Sequence, residues 1–294
     1  MDIFGIPSQA LFGQLLVGLI NGSFYALLSL GLAIIFGLLR IINFAHGAQY
    51  MFGAFIAYLL LHKAGVGYWW ALLLAPLAVG ALGAVVERLL LSRLYRVDHL
   101  YSLMLTFGLG LIVQGVFLSG YGSSGQPYPM PPELAGGRNL GFVFMPYYRV
   151  WVIGFSLAVC LAAWLLIERT RLGGTLRAAN ENPTLVQAFG INVPRILTLT
   201  YGAGAALAAL AGVMAAPIYQ VGALMGTELI IVVFAVVVIG GMGSILGAIV
   251  AGFGLGLVEG LTKVFYPEAA NTVVFVLMAL VILAKPNGLF GARN

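Results

Sequence analysis

The side chains that could carry out chemistry are few in this sequence, and they are widely scattered. The three histidines lie far apart, at His46, His62 and His99, and form no metal-ligand pair at helical spacing. None of the three lysines ends a glycine-rich phosphate-binding loop, and no Gly-x-Ser-x-Gly nucleophile turn occurs. The sequence therefore predicts no catalytic residue, no metal site and no cofactor of its own. If the protein carries out active transport, the energy must come from a partner or an ion gradient.

The polar segment 168–195 contains the most specific local signal, and it indicates docking rather than catalysis. Its helix-boundary residues are an N-cap, a first-turn proline and a C′ glycine, at Asn182, Pro183 and Gly190. Between them, Leu185 and Phe189 stand at i and i+4 and share an apolar face, with Val186 beside it. A short capped helix in a water-facing loop predicts that this face docks on another protein. The alternative is a helix that lies along the lipid headgroups.

A polar stretch opens the second apolar tract and predicts part of a transport path or its gate. Asn43 could cap the helix that follows, Gly47 lies in its first turn, and His46 and Gln49 place polar groups near the bilayer. The alternative is a helix cap followed by a hydrogen-bonded histidine near the inner surface. Both interpretations stay open, because Arg40 places the stretch close to one membrane surface rather than at its middle.

A second candidate for the path or gate is the glycine-rich cluster Gly240, Gly241, Gly243 and Ser244. It interrupts the tract Leu229–Val258, whose 30 residues would make a helix of about 45 Å, against roughly 30 Å of hydrocarbon. Glycines favour a break there, and Ser244 could N-cap the helix that follows. The tract is therefore predicted to form two segments.

One ionisable pair lies deep enough in an apolar tract to raise the question of ion coupling. Glu259 and Lys263 stand at i and i+4, where two charges can pair on one helix face. A charge at the bilayer centre costs at least about 2.5–3.5 kcal/mol, so one that is kept usually has a function. The pair predicts either an interfacial ion pair near the outer surface or a role in transport.

The composition indicates which secondary-structure elements position these residues. The chain has 62% apolar residues, 8% charged residues and a mean hydropathy of +1.05. A soluble domain carries roughly 25% charged residues, so this chain must bury its surface in lipid. Continuous apolar tracts near the roughly 20 residues of a spanning helix predict an all-α, polytopic membrane protein. The basic residues behind the net charge of +5 are scattered among the links, which argues against a nucleic-acid partner.

Eight uncharged tracts, one of them divided at the glycine cluster, predict eight or nine membrane crossings. The tracts are Leu11–Leu39, Ala45–Leu61, Tyr68–Val86, Leu100–Gly120, Val150–Ile167, Ile196–Thr227, Leu229–Val258 and Ala269–Ala284. Nine segments with the N-terminus outside satisfy the positive-inside bias, because ten basic residues then face the cytoplasm and four face out. The ten are Arg40, Arg88, Arg93, Arg96, Arg169, Arg171, Arg177, Arg195, Lys285 and Arg293, and the four are Lys63, Arg138, Arg149 and Lys263.

No link has the character of a domain boundary, so residues 1–294 are predicted to form a single transmembrane domain. The link 121–148 contains Pro127, Pro129, Pro131 and Pro132 and predicts an irregular periplasmic loop. Gly252, Gly256 and Gly260 recur every four residues on one helix face. Small residues at that spacing let two helices approach closely in a membrane, which predicts a packed helix pair.

Three stretches resemble the permeases of branched-chain amino-acid ABC importers. "RAANENPTLVQAFGINVPRI" (Arg177–Ile196) resembles the cytoplasmic loop by which these permeases engage their ATPase subunits. "GLLRIINFAHGAQYMFGAFIAY" (Gly37–Tyr58) resembles the family's Asn-Phe-Ala-His-Gly signature, and "GGMGSILGAIVAG" (Gly240–Gly252) resembles its glycine-rich turn. With the same order of apolar tracts, the resemblance covers essentially the whole chain. It is strongest to the shorter of the two permease subunits.

By this resemblance, segment 168–195 contains a cytoplasmic coupling helix through which the chain engages an ATPase. The general loop motif of importers begins Glu-Ala-Ala, whereas Arg177 precedes the two alanines here, so Glu181 is the candidate for the ionic contact. The candidate coupling residues are Arg177, Ala178, Ala179, Glu181, Asn182, Leu185, Phe189, Gly190, Ile191 and Asn192.

The resemblance implies an importer made of this chain, a second homologous permease, two cytoplasmic ATP-binding subunits and a periplasmic substrate-binding protein. The partner subunits would bind ATP. The chain would lie in the cytoplasmic (inner) membrane of a bacterium or archaeon, with its N-terminus outside and its C-terminus inside. It would import branched-chain or other neutral amino acids. Urea or short-chain amides are the alternative substrates, and a lone ion-coupled transporter or channel is the alternative mechanism.

Overall fold

The computed structural model describes residues 2–3, 6–39, 41–95, 97–141 and 143–291. Arg40, Arg96 and Arg293, which contribute to the charge count above, lie outside the described residues. The helices are α1 Ser8–Leu39, α2 His46–Ala64, α3 Tyr68–Leu89, α4 His99–Tyr121, α5 Tyr147–Arg169, α6 Arg171–Glu181, α7 Pro183–Ala188, α8 Val193–Tyr219, α9 Met225–Gly240, α10 Ile245–Phe265 and α11 Val273–Ala284. Short 3-10 turns lie at Leu91–Arg93, Pro132–Leu134 and Pro267–Ala269.

The predicted segments are all helical, as the apolar tracts indicated. Within the described ranges, six helices are long and apolar enough to cross a membrane: α1, α3 (with the turn after it), α4, α5, α8 and α10. Helices α9 and α11 are apolar but shorter. The polytopic helical fold is therefore confirmed, while the number of crossings stays a prediction.

One predicted boundary is wrong. The tract Ile196–Thr227 was expected to be a single segment, but α8 ends at Tyr219 and α9 begins at Met225. Gln220 adopts a left-handed backbone with φ of 65°, and Val221 exchanges backbone hydrogen bonds of 2.8 and 2.9 Å with Gln126. The break is held by this distant partner, and the local sequence marks it with Pro217 and Gly222.

The link 121–148 is more regular than the expected irregular loop. Strands β3 (Gly137–Asn139) and β4 (Phe144–Pro146) pair antiparallel within it. A second small antiparallel pair, β1 (Asp2–Ile3) with β2 (Ile6–Pro7), precedes α1. The prolines of the link fall outside the paired residues except Pro146, which ends β4.

The chain divides into two compact units. Unit 1 comprises Met1–Ser29, Met130–Leu161 and Val232–Asn294, and unit 2 comprises Leu30–Pro129 and Ala162–Ile231. Three of the four boundaries fall inside helices α1, α5 and α9, and the fourth falls in the link 121–148. A single domain over residues 1–294 stays a prediction.

Within unit 1, the glycine stripe of α10 packs against the first half of α1, as its spacing predicted. A Cβ on Gly256 would lie 2.3 Å from the carbonyl oxygen of Gly18, and one on Gly252 would lie 2.6 Å from the backbone of Ala26. The Ser29 hydroxyl donates to the Ala248 carbonyl at 3.2 Å. Backbones this close are possible only because the residues in contact are small.

Within unit 2, α8 packs against both α2 and α3 through small residues. A Cβ on Gly212 would lie 2.0 Å from the carbonyl oxygen of Tyr50, and one on Gly53 would lie 2.4 Å from Ala209. On the other side, a Cβ on Gly202 would lie 2.8 Å from the carbonyl oxygen of Gly80. Helix α8 is therefore held tightly by two neighbours.

Candidate functional site

The short helix α7 is capped at both ends in the way its sequence predicted. The Asn182 side-chain oxygen accepts a hydrogen bond of 2.9 Å from the Leu185 N–H, and Pro183 occupies the first turn. At the other end, Gly190 has φ of 80°. The Gly190 N–H donates to the Gln187 carbonyl at 2.9 Å, and the Ile191 N–H donates to the Val186 carbonyl at 3.4 Å. These two bonds form the Schellman motif.

The side chains of α7 divide sharply between exposed and buried. Leu185 is 54% exposed and Phe189 is 77% exposed, so the shared apolar face predicted for them faces away from the protein. Val186 is only 6% exposed and packs with Ala179 and Val193 in a small core, joined by Ile191 and Leu197. The sequence placed Val186 beside the outer face, whereas it anchors α7 to α6 and α8.

Helix α6, which the sequence analysis did not predict, lies directly against the end of α5. A Cβ on Gly173 would lie 1.5 Å from the Ile167 carbonyl oxygen, so only glycine fits there. Arg177 Nη1 donates to that carbonyl and to Glu168, both at 3.2 Å. Arg177 is therefore engaged within the chain, whereas Glu181 is exposed and has no ion pair among the described residues.

The remaining coupling candidates lie around these contacts. Ala178 is exposed and Ala179 is buried in the core of α6, α7 and α8. Asn192 caps α8, because its side-chain oxygen accepts a hydrogen bond of 3.1 Å from the Arg195 N–H. The structure therefore gathers the predicted coupling residues into one compact region.

The start of α8 connects this region to the membrane helices of unit 2. Leu197 packs against the core of α6, α7 and α8 and also against a second core that contains Tyr201. The next residue, Thr198, donates its hydroxyl to buried Glu87 of α3 at 2.5 Å. The other oxygen of Glu87 accepts a short hydrogen bond from Tyr95. Burial, and then the hydrogen bond to Glu87, raise the pKa of Tyr95 well above its usual value, so it stays a donor.

The polar stretch before and within α2 forms a buried network that ends on α8. His46 is fully buried, and its Nδ1 lies 3.2 Å from Gln49 Oε1. Gln49 Nε2 in turn donates to the Tyr201 hydroxyl at 3.2 Å. With the amide in this orientation, the proton of His46 is assigned to Nδ1. His46 thus has the geometry of a hydrogen-bonded buried histidine, one of the two interpretations that the sequence left open.

Asn43 does not cap α2, contrary to expectation. Helix α2 begins at His46 with Ala45 as its N-cap residue and no side-chain cap. The Asn43 side-chain oxygen instead accepts a hydrogen bond of 3.1 Å from the Ala45 N–H, which closes a tight turn before the helix. Asn43 is fully buried, and its Nδ2 makes no hydrogen bond of standard geometry among the described residues.

A small cavity of about 60 Å³ lies beside Gly47 and is also lined by Gln114, Gly226 and Thr227. The Thr227 hydroxyl donates to Gln114 Oε1 at 3.0 Å. A Cβ on Gly226 would lie 2.0 Å from the Gly47 carbonyl oxygen, so α2 and the start of α9 are in backbone contact. The cavity is too small for an amino acid. A path at this point would require these two helices to separate.

The glycine cluster of unit 1 forms the predicted break. Gly241 and Gly243 have φ of 104° and 84°, and the Ser244 hydroxyl accepts a hydrogen bond of 3.1 Å from the Gly247 N–H at the start of α10. Gly240 ends α9, and its carbonyl accepts a hydrogen bond of 3.1 Å from the Phe290 N–H. The residues after α11 therefore pack onto this turn, which the sequence did not indicate.

Glu259 is fully engaged within unit 1. Its carboxylate accepts hydrogen bonds from Tyr25 at 2.7 Å and Asn21 at 3.2 Å, and it pairs with Lys263 at 2.5 Å. This arrangement is an anchor between α1 and α10. The ion pair that the i, i+4 spacing predicted is therefore formed, and a role of Glu259 in transport stays a prediction.

Comparison with known proteins gives a consistent result over nearly the whole chain. The sequence profile of a family described as "Branched-chain amino acid transport system / permease component" matches residues 14–284. The permease protein BraD of the high-affinity branched-chain amino acid transport system of Pseudomonas aeruginosa is 33% identical over 295 residues, which cover 95% of both chains.

Two further relatives extend the similarity across bacteria and archaea. The corresponding permease protein LivH of Escherichia coli strain K12 is 31% identical over 298 residues, 95% of this chain and 94% of that protein. The probable branched-chain amino acid transport permease protein LivH of Methanocaldococcus jannaschii is 26% identical over 293 residues, 93% of this chain and 90% of that protein. This chain belongs to the family of branched-chain amino acid transport system permease components.

Proposed function

We propose that this chain is the membrane-spanning permease subunit of an ATP-driven importer of branched-chain amino acids, in the cytoplasmic membrane. The observation that carries the proposal is the similarity over 95% of the chain to a permease of such a system, with no large unmatched part on either protein. A urea or amide importer has no comparable support. A lone ion-coupled transporter is disfavoured by family membership.

Energy would enter through α7. Leu185 and Phe189 form an exposed apolar pair on a helix that is capped at both ends. Burying such a face against a partner lowers the free energy, because apolar surface is removed from water. Exposed Glu181 supplies a carboxylate beside it, while Arg177 is engaged by Glu168. We propose that a cytoplasmic ATP-binding subunit covers this face. A second permease and a periplasmic binding protein would complete the importer.

Movement of α7 could reach the polar network through the start of α8. Val186 ties α7 to Leu197, whose side chain also packs against the core containing Tyr201. Tyr201 accepts the hydrogen bond of Gln49, which is bound to His46. Because α8 is clamped between α2 and α3 through glycine and alanine contacts, a shift of α8 must displace its neighbours. We propose that a shift transmitted through this connection separates α2 from the start of α9.

The topology belongs to the same proposal. An inside C-terminus and an outside N-terminus place α6, α7 and the arginines of segment 168–195 in the cytoplasm, where the ATP-binding subunits lie. The charge distribution and the position of α7 support this orientation independently. Accessibility labelling of single cysteines, in a variant that lacks Cys160, can measure it.

The proposed function is tested by reconstituting the chain with the partner subunits from the same genome. Leucine uptake into proteoliposomes should require ATP, the binding protein and both permeases. The ATP-binding subunit should co-purify with the chain. Uptake that needs no ATPase and follows an ion gradient instead would contradict the proposal, and a binding protein that takes urea but no leucine would contradict the substrate.

Replacing His46 or Asn43 by alanine is expected to lower uptake several-fold at matched membrane levels. Loss of His46 leaves Gln49 Oε1 without its buried donor, and an unsatisfied buried group costs about 1–3 kcal/mol. The arrangement of α2 against α8 should shift accordingly. His62→Ala, an exposed histidine on the same helix, is the matched control. Normal uptake by both variants would show that this stretch is not part of the transport path.

A further inference from the structure

A large apolar groove lies in unit 2, apart from both the α7 face and the buried polar network. Its volume is about 490 Å³, within the range of small-molecule sites. The end of α5, one face of α6 and α8 from Ile196 to Leu210 form its walls, which include Leu166, Leu172, Leu199 and Ala203. Ile34 of α1 and Pro76 of α3 complete the lining. Leu172 and Leu199 are 62% and 70% exposed, so nothing in the described chain covers the groove.

The walls of the groove differ from the helix contacts elsewhere in the protein. Helices α1 and α10, and α8 with α2 and α3, meet through glycine and alanine with their backbones almost touching. The groove instead presents large, flexible leucines around an open volume. Its Thr175 hydroxyl is already satisfied, because it donates to the Arg171 carbonyl at 2.9 Å. This surface suits a flexible hydrocarbon chain better than another closely packed helix.

Exposed arginines stand next to groove-lining residues along each of the three wall helices. Arg171 stands four residues before Thr175 on α6, and Arg195 stands four residues before Leu199 on α8, so each shares a helix face with a groove-lining residue. Arg169 ends α5, which also forms a wall. All three arginines are exposed and have no carboxylate within 4.0 Å among the described residues, in contrast to Arg177.

From this combination we infer that the groove binds an anionic phospholipid, with one acyl chain along the α5, α6 and α8 walls and the phosphate at Arg171 and Arg195. The acyl chain gains little by leaving other lipid, because both environments are apolar. Selectivity must therefore come from the headgroup charge. Each arginine should favour an anionic over a zwitterionic lipid by about five-fold. A bound lipid would hold α6, and with it α7, against the membrane helices.

The test measures which lipids the full-length chain retains. The protein is equilibrated in nanodiscs of phosphatidylglycerol and phosphatidylcholine, extracted in mild detergent and analysed by native mass spectrometry. The wild type should retain phosphatidylglycerol in preference to phosphatidylcholine. Arg171→Gln with Arg195→Gln should reduce that preference by about 25-fold, whereas the lysine replacements at both positions should keep most of it.

Two further variants separate the groove from general charge effects. Arg149→Gln removes a cation near the opposite end of α5 and should leave the preference unchanged. Ala203→Trp fills the exposed wall of α8 and should reduce retention of both lipids. Size-exclusion elution establishes that each variant is folded. An unchanged preference in the glutamine variant would overturn the inference. So would an Ala203→Trp variant that keeps its lipid but no longer associates with the second permease, because the groove would then belong to a protein interface.

Discussion

Replacing Phe189 by alanine is expected to reduce leucine uptake at least about 30-fold without lowering the amount of protein in the membrane. Truncating an exposed aromatic anchor typically weakens an interface by 2 kcal/mol or more, which is about 30-fold in affinity. Phe189 is 77% exposed and belongs to no core of the described chain, so the fold should not depend on it. ATP hydrolysis and uptake, measured together in proteoliposomes, should become uncoupled.

Neighbouring positions on α7 make the interpretation of this variant specific. Gln187→Ala changes another exposed side chain of the same helix and should leave uptake intact. Val186→Ala removes buried volume and should lower thermal stability instead. Gly190→Ala should act in the same direction as Phe189→Ala, because a left-handed backbone with φ of 80° strains alanine by about 1–2 kcal/mol. Full-rate uptake by the Phe189 variant would exclude this face as the docking site.

Adding a single methyl group at Gly256 is expected to destabilise the protein severely. In Gly256→Ala the Cβ would lie 2.3 Å from the Gly18 carbonyl oxygen and 2.4 Å from the backbone of Gly22, so α1 and α10 must separate. Overpacking of this kind costs about 1–3 kcal/mol, and more where the obstacle is backbone. Separation would also stretch the hydrogen bonds of Tyr25 and Asn21 to Glu259.

Gly254→Ala provides the matched control two residues away on the same helix. A Cβ there meets nothing within 4 Å. Alanine has a higher helix propensity than glycine by about 1 kcal/mol, so this variant should be as stable as the wild type or slightly more so. Thermal unfolding in detergent, followed by size-exclusion chromatography, should therefore shift in opposite directions for the two variants. Equal shifts would contradict the packing of α1 on α10.

The features that sequence reasoning located correctly are those whose causes lie within a few residues. Asn182, Gly190 and Ser244 each make their capping contacts with residues at most five positions away. A helix cap can therefore be recognised from the few residues around it. The repeat of Gly252, Gly256 and Gly260 is similar, because the spacing on one helix predicts a close neighbour even though it does not say which helix that is.

Two of the features that sequence reasoning missed depend on partners far along the chain, and two depend on how nearby residues meet in three dimensions. The break between α8 and α9 is held by Gln126, and Asn43 bonds within a turn that leads into a buried network instead of capping α2. Glu87 is satisfied by Thr198, 111 residues away. Helix α6 lies where it does because Gly173 fits against the Ile167 carbonyl. The contacts of Gln126 with Val221 and of Glu87 with Thr198 leave no periodicity that could be recognised in advance.

By itself, the sequence determined that the chain is a helical membrane protein, where most of its helices begin and end, and that a capped helix with an apolar face stands in its most polar link. Hydrophobic burial in lipid and capping hydrogen bonds are local effects, so residue order is enough to predict them. Only the tertiary structure decided that Val186 faces inward while Phe189 faces outward, and that Leu197 and Tyr201 connect α7 to Gln49. Those relations depend on which helices pack against each other. Close backbone contact between small residues determines that packing in three dimensions.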